Sequence, residues 1–449
     1  MLFNSIEFLI FFPTVFFFYW FVFGKNLQLQ NLFILISSYF FYGWWDYRFL
    51  LLIIISSVTD YYSGIAIAKT QKRSYRFCFL IISIFINLGI LFFFKYYNFF
   101  IESFSSAFLF LGHNINFQSL NIVLPVGISF YTFQSMSYTI DIYNNKIKPT
   151  RSLIVFFSFV SFFPQLVAGP IERAKKMIPQ FELKRDLIFS WTPFFLICSG
   201  LMRKMVFADN FALYVDSYWN SLTYGANFYG NLIAVLFFSF QIYFDFSGYS
   251  RIARGLALLL GFKLVVNFDH PYDSISFSEF WKRWHISLSS WFRDYLYFPL
   301  GGNRVSSYRV YINLMIVFLI SGLWHGSNLT FVLWGFIHGS FLILEKKFKI
   351  KWNKSLIFLI ICFSWIPFRA NNLNEMVIFY DGFTNFNLSL VSLTSGIGFV
   401  YFVFLMSLFM FMFLYINLEK KKSDLIFLLF PVLIFLFSRI GDPFVYFQF

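Results

Sequence analysis

The chain has 449 residues, 59% of them hydrophobic and only 12% charged, with a mean hydropathy of +0.68 and a formal net charge of +14. This composition excludes an ordinary soluble domain. The basic residues cluster in short loops between apolar runs, which is the pattern of cytoplasmic loops in a membrane protein and not of a nucleic-acid surface.

The apolar runs have helix length and lack the ten-residue alternation of an outer-membrane barrel, so the fold class is an all-α polytopic membrane protein. Cys78, Cys198 and Cys362 stand singly in apolar segments, without the paired spacing of a disulfide framework or a cysteine metal site. The N-terminal stretch has no basic n-region and no small-residue cleavage site, so residues 6–23 are expected to be a retained span. Placing the basic loops Lys69–Arg76, Lys146–Arg151, Arg173–Arg185, Lys346–Lys354 and Lys420–Lys422 inside orients the rest.

Spans then fall at 30–43, 48–68, 77–94 and 120–140. Residues 152–168 are apolar but flanked by basic loops on both sides, which predicts a re-entrant segment closed by the prolines of Phe163-Pro-Gln-Leu-Val-Ala-Gly-Pro170. Spans at 190–207 and 228–244 follow, then a half-inserted helix at 249–262 with Arg251 and Arg254 near its start, then a polar cytoplasmic stretch over 263–308. A hairpin of 309–322 and 324–344 and three last spans at 355–368, 394–416 and 424–438 complete about 11–13 segments. The expected organisation is one integral-membrane domain, 1–449: N-terminal spans over 1–119, a motif-bearing core over 120–344 and C-terminal spans over 345–449.

Several polar residues are out of place in this apolar chain. His325 lies in Ser321-Gly-Leu-Trp-His-Gly-Ser-Asn328, beside Trp324 and close to Asn328, where an ionisable group is either interhelical glue or a working group. Imidazole suits the second role because it takes a proton from a hydroxyl near neutral pH and returns it. His285 lies in Phe277–Tyr295, whose Phe and Trp residues recur at helical spacing opposite Glu279, Lys282, Arg283 and Arg293. That pattern predicts an amphipathic helix at the membrane interface, with His285 at the edge of its apolar face.

Gln134, Tyr138 and Asp141 share one helix face, as do Gln241 and Asp245. Taken singly, such residues tie helices together; converging, they would line a substrate channel. Lys282, Arg283 and Arg293 form a basic surface suited to an anionic donor or to anionic lipid. Tyr446, in the aromatic ending Phe444–Phe449, is placed on the outer side as an interfacial anchor or as a hydroxyl that helps carry an acyl group. A transporter or flippase would also hold polar groups at mid-membrane, but would call for inverted repeats and more in-span carboxylates than Asp60, Asp141 and Asp245.

The stretches Leu124–Gln134, Phe163–Ile171, Asp245-Phe-Ser-Gly-Tyr-Ser250, Phe280-Trp-Lys-Arg-Trp-His285 and Ser321-Gly-Leu-Trp-His325, in this order, resemble the membrane-bound O-acyltransferase family. Within it the chain is similar to the bacterial branch of alginate O-acetyltransferase membrane subunits and their peptidoglycan and teichoic-acid counterparts. The resemblance implies a bundle with re-entrant and interfacial helices around a central cavity in the bacterial cytoplasmic membrane, with His325 at the active-site position and His285 at the second motif position. It implies no bound cofactor and no metal. The donor would be a cytoplasmic thioester, acetyl-CoA or an acyl carrier, the acceptor a surface polysaccharide, and the partner a secreted or anchored extracytoplasmic acyltransferase. Pro367 departs from the family pattern, which has an aromatic residue there.

Overall fold

A chain segment inside hydrocarbon must satisfy its backbone from within, and in the computed structural model every regular element among the described residues is helical. The structure describes residues 1–113, 118–187, 189–387, 393–420 and 424–439. Six helices are long and apolar enough to cross a membrane: Tyr47–Lys69, Arg73–Phe110, Phe228–Leu259, Ser307–His325, Leu329–Phe348 and Phe399–Lys420. The chain forms two compact units, Met1–Pro193 with Ala253–Val265, and Phe194–Ile252 with Val266–Phe449.

In the first unit, polar side chains act as fasteners between helices. Asp60, on Leu50–Lys69, accepts two bonds from Asn87 Nδ2 at 3.0 and 2.9 Å and further bonds from the hydroxyls of Ser83 and Ser135, groups carried by two other helices. The segment expected to be re-entrant is a helix of nine residues, Leu153–Ser161, about 14 Å long and too short to cross. Its chain turns at Phe162 into Phe163–Leu166 and is buried throughout Val155–Ile171. Gly127 sits at φ +78°, and a Cβ there would meet the Leu166 carbonyl oxygen at 2.7 Å. The glycine of Leu124-Pro-Val-Gly127 thus lets its turn pack against the Phe163–Pro170 turn.

Two expectations are corrected. Residues 228–244 and 249–262 are not separate segments: Phe228–Leu259 is one 32-residue helix. Arg251 does not need to leave the membrane because it pairs with Glu419, which Arg203 also grips. Gly248 permits the crossing that brings these groups together, since a Cβ on it would lie 2.8 Å from the Gly200 carbonyl oxygen.

The second correction concerns 277–295, which is not a continuous interfacial helix. It breaks into Phe277–Arg283 and Ile286–Phe292, with His285 between them in the left-handed region at φ +43°, ψ +52°. The first half runs along Leu329–Phe348 from its C-terminal end inward. Phe277 stacks on Phe341 at 4.7 Å, Trp281 meets His338 and Trp334 at 5.1 and 5.6 Å, and the ring of His285 lies 6.4 Å from that of His325. The return passes Tyr297 to Asn303, whose side chain accepts from Lys346 Nζ at 2.6 Å, back beside the C-terminal end of the same helix. Residues 277–297 are therefore a re-entrant hairpin with His285 at its tip. Glu345 anchors its entry by accepting the backbone N–H groups of Phe277 and Ser278 at 2.7 and 3.2 Å, a carboxylate on a helix N-terminus.

Ser307–His325 and Leu329–Phe348 form the expected hairpin, and two glycines set its closeness. A Cβ on Gly322 would sit 2.2 Å from the Phe331 carbonyl oxygen, and one on Gly335 would sit 2.2 Å from that of Phe318. Small residues at such crossings let the backbones touch. Gly335→Ala is therefore expected to force the helices apart and to lower stability by about 1–3 kcal/mol. A melting curve in detergent reads the effect; an unchanged midpoint would remove the close-approach role.

Candidate functional site

His325 is the last residue of the 19-residue helix Ser307–His325, about 28 Å from its start. Gly326 follows in extended conformation, and a Cβ on it would strike the Phe331 ring at 2.1 Å. Asn328 then caps the next helix, accepting from the Thr330 N–H at 3.2 Å and donating to the Asn371 carbonyl. Asn328, a candidate channel residue, serves the turn that holds His325.

The His325 ring is 3% exposed and enclosed by aromatic rings: Trp324 at 5.0 Å, Trp334 at 5.1 Å and Phe368 at 5.3 Å between centroids. His285, fully buried, faces Phe246 at 4.6 Å and Trp324 at 6.0 Å. Two histidines and Trp324 thus meet where a re-entrant tip reaches the end of a spanning helix.

His285 is held by a residue that sequence reading passed over. Asn267 Oδ1 lies 3.2 Å from His285 Nδ1 and accepts from the Ser287 N–H at 3.1 Å and the Ser287 hydroxyl at 2.9 Å, while the Asn267 carbonyl accepts the Ile286 N–H at 2.9 Å. Asn267 lies eighteen residues before His285 in a non-helical stretch, so no periodicity connects them. His338 was also passed over, although an ionisable residue inside a span was signal enough; it is fully buried and contacts the Ser364 hydroxyl at 2.9 Å.

The remaining candidates divide. Lys282 and Arg293 line one cavity of about 330 Å³ that also takes in Trp281, Ser289, Ser290 and Ser321. Ser321 is four residues, about 6 Å of helix rise, before His325. Arg283 is not part of that lining: it pairs with Glu279 at 2.8 Å and donates to the Asp269 carbonyl. Asp245 pairs with Lys204 at 2.8 Å, while Gln241, four residues earlier, is buried with its Oε1 making no hydrogen bond among the described residues.

Gln134, Tyr138 and Asp141 belong to the first unit and have local partners there. Gln134 and Gln165 both donate to the Phe159 carbonyl, at 2.6 and 2.9 Å, satisfying the end of a short helix. Tyr138 packs on Phe156 at 4.5 Å, and Asp141 lies 3.6 Å from Lys146 Nζ. Tyr446 lies outside the described residues.

Fold and site together define a multi-pass membrane protein with a buried pair of imidazoles. The family model for MBOAT, the membrane-bound O-acyltransferase family, matches residues 144–355. A probable alginate O-acetylase of Pseudomonas aeruginosa is 39% identical over 86% of this chain and 75% of its own length. A peptidoglycan O-acetyltransferase of Helicobacter pylori is 36% identical over 86% of this chain and 80% of its own. A teichoic acid D-alanyltransferase of Bacillus subtilis is 27% identical over 55% and 63%. The chain belongs to the membrane-bound O-acyltransferase family and is an acyltransferase.

Proposed function

We propose that this protein of the bacterial cytoplasmic membrane takes an acyl group, acetyl in the first instance, from a cytoplasmic thioester and passes it across the membrane for O-acylation of a cell-surface or exported polysaccharide. The observation that carries this reading is the buried meeting of His285 and His325, their ring centroids 6.4 Å apart. The names of the relatives, which are acetylases of alginate and of peptidoglycan, support a polysaccharide acceptor. Carboxylates that a transporter would use are engaged internally, Asp60 by hydroxyls and an amide and Asp245 by Lys204.

In this reading His325 is the general base. It takes the proton of the acceptor hydroxyl as the oxygen attacks the thioester carbonyl, the O–C bond forms, the C–S bond breaks, and the imidazolium returns its proton to the departing thiolate. The C-terminal end of its helix carries partial negative charge that stabilises the imidazolium in between. The donor is acetyl-CoA or an acyl-carrier thioester, received by Lys282 and Arg293 at the cavity that reaches Ser321. Arg283 is left out of this role because it does not line that cavity. A secreted or anchored acyltransferase accepts the group on the far side, with the membrane lipid as the remaining surround.

The experiment loads inside-out vesicles, prepared from cells that make the full chain together with its native envelope partners, with polysaccharide acceptor and adds radiolabelled acetyl-CoA or acetylated carrier protein outside. Label is expected in alkali-labile esters inside, and vesicles that release no thiol and transfer no label from either donor would overturn the reading. Lys282→Glu with Arg293→Glu should raise the donor KM about tenfold at low salt, with the difference shrinking as salt screens the charges. An unchanged donor KM would make these residues lipid contacts.

A further inference from the structure

The hydrogen bonds at the re-entrant tip determine which nitrogen of His285 carries its proton. The Ser287 backbone N–H can only donate, and it lies 3.1 Å from one terminal atom of the Asn267 amide, so that atom is the oxygen. The same oxygen faces His285 Nδ1 at 3.2 Å. An amide oxygen has no proton to give, so Nδ1 must supply it. In the neutral ring the lone pair is then on Nε2.

The other half of the amide points to the same role. Asn267 is 1% exposed, and its Nδ2 makes no hydrogen bond among the described residues. A buried donor without a partner costs stability, so the amide is kept for its oxygen. Its oxygen is the part in use, gathering Nδ1 of His285, the Ser287 N–H and the Ser287 hydroxyl.

We propose that Asn267 is a positioning residue that locks His285 with its proton on Nδ1, so that Nε2 accepts a hydrogen bond from the acceptor, at a sugar hydroxyl beside the one that His325 deprotonates, instead of donating one to the thioester carbonyl. This rests on the acyl-transfer reading of the histidine pair and decides between two roles for His285, polarising the thioester carbonyl and orienting the acceptor. A neutral ring protonated at Nδ1 has no proton at Nε2 with which to polarise a carbonyl. Complete burial beside the Phe246 ring leaves no water to solvate an imidazolium and so favours the neutral ring. The rings that face it include Phe246, Phe268, Trp324 and the titratable His325.

The test uses full-length protein purified in detergent, with acetyl-CoA as donor and an alginate oligosaccharide as acceptor, reading thiol release and the elution profile. Asn267→Ala should lower kcat about 10- to 100-fold, the range found when the group orienting a working imidazole through its far nitrogen is removed, with the acetyl-CoA KM within about twofold. Asn267→Asp keeps an acceptor for Nδ1–H and should restore most of the rate. Its carboxylate favours the imidazolium and raises the pKa of His285, so the unprotonated form is lost at higher pH and the acid limb of kcat moves upward. A full rate in Asn267→Ala, or an Asn267→Asp variant as slow as the alanine with an unmoved acid limb, would overturn the proposal. If Asn267→Ala elutes as aggregate, the rate and pH profile of Asn267→Asp decide. A fully active His285→Ala would overturn the acyl-transfer reading of the pair itself, whereas an inactive His285→Ala beside a fully active Asn267→Ala would overturn only the role of Asn267.

Discussion

His325→Ala is expected to lower acyl transfer by about 10² to 10⁴, the usual contribution of a positioned general base, while the protein still inserts. Insertion should survive because the hairpin that carries His325 is held by other means: the Gly322 and Gly335 crossing and the Asn328 cap do not involve the imidazole. The loss is read as alkali-released acetate from the cell envelope, normalised to the amount of membrane-inserted protein. Wild-type acetylation in such cells would remove His325 from the mechanism and leave it as a packing residue among Trp324, Trp334 and Phe368.

Glu419→Ala should do the opposite, destroying the fold before any chemistry is tested. Glu419 is the one carboxylate between Arg203 and Arg251 in this cluster, with Arg203 and Glu419 side chains only 2% and 3% exposed. Tyr415 donates to Glu419 at 3.1 Å, and Ser247 and Ser199 accept from the two arginines at 2.7 and 3.0 Å. Removing the carboxylate leaves the buried Arg203 guanidinium uncompensated beside the partly buried Arg251, and breaking a buried pair costs about 3–5 kcal/mol. The expected result is a collapse in the yield of monodisperse protein from detergent. Replacing all three residues together by apolar ones should recover much of that yield, because the cost comes from uncompensated charge. A monodisperse Glu419→Ala protein with an unchanged melting midpoint would mean that the cluster is dispensable.

Much of the architecture was legible because hydrocarbon imposes a strict rule on a chain. Length of apolar run and placement of Lys and Arg located the Ser307–His325 and Leu329–Phe348 hairpin and the last long helix, Phe399–Lys420, to within a few residues. The short helix Leu153–Ser161 agrees with the re-entrant expectation for the same reason, since two basic loops cannot lie on opposite sides. The split placed within Phe228–Leu259 failed because the sequence displays Arg251 but not the Glu419 that neutralises it, 168 residues away.

The site divides in the same way. Composition and order alone determined a membrane-embedded helical protein, and the residue types alone singled out His285 and His325, because an ionisable group in an apolar run is costly and therefore conspicuous. Tertiary structure decided how the two meet. Nothing between Lys282 and Ser287 is glycine or proline, so local preference continues the helix straight through His285. The chain instead breaks there, at φ +43°, because Asn267 takes the N–H groups of Ile286 and Ser287 and the proton of the His285 ring. A left-handed turn at a non-glycine residue costs about 1–3 kcal/mol and persists only where its surroundings supply more than that. Those surroundings are contributed by residues distant in sequence, and local periodicity carries no record of them.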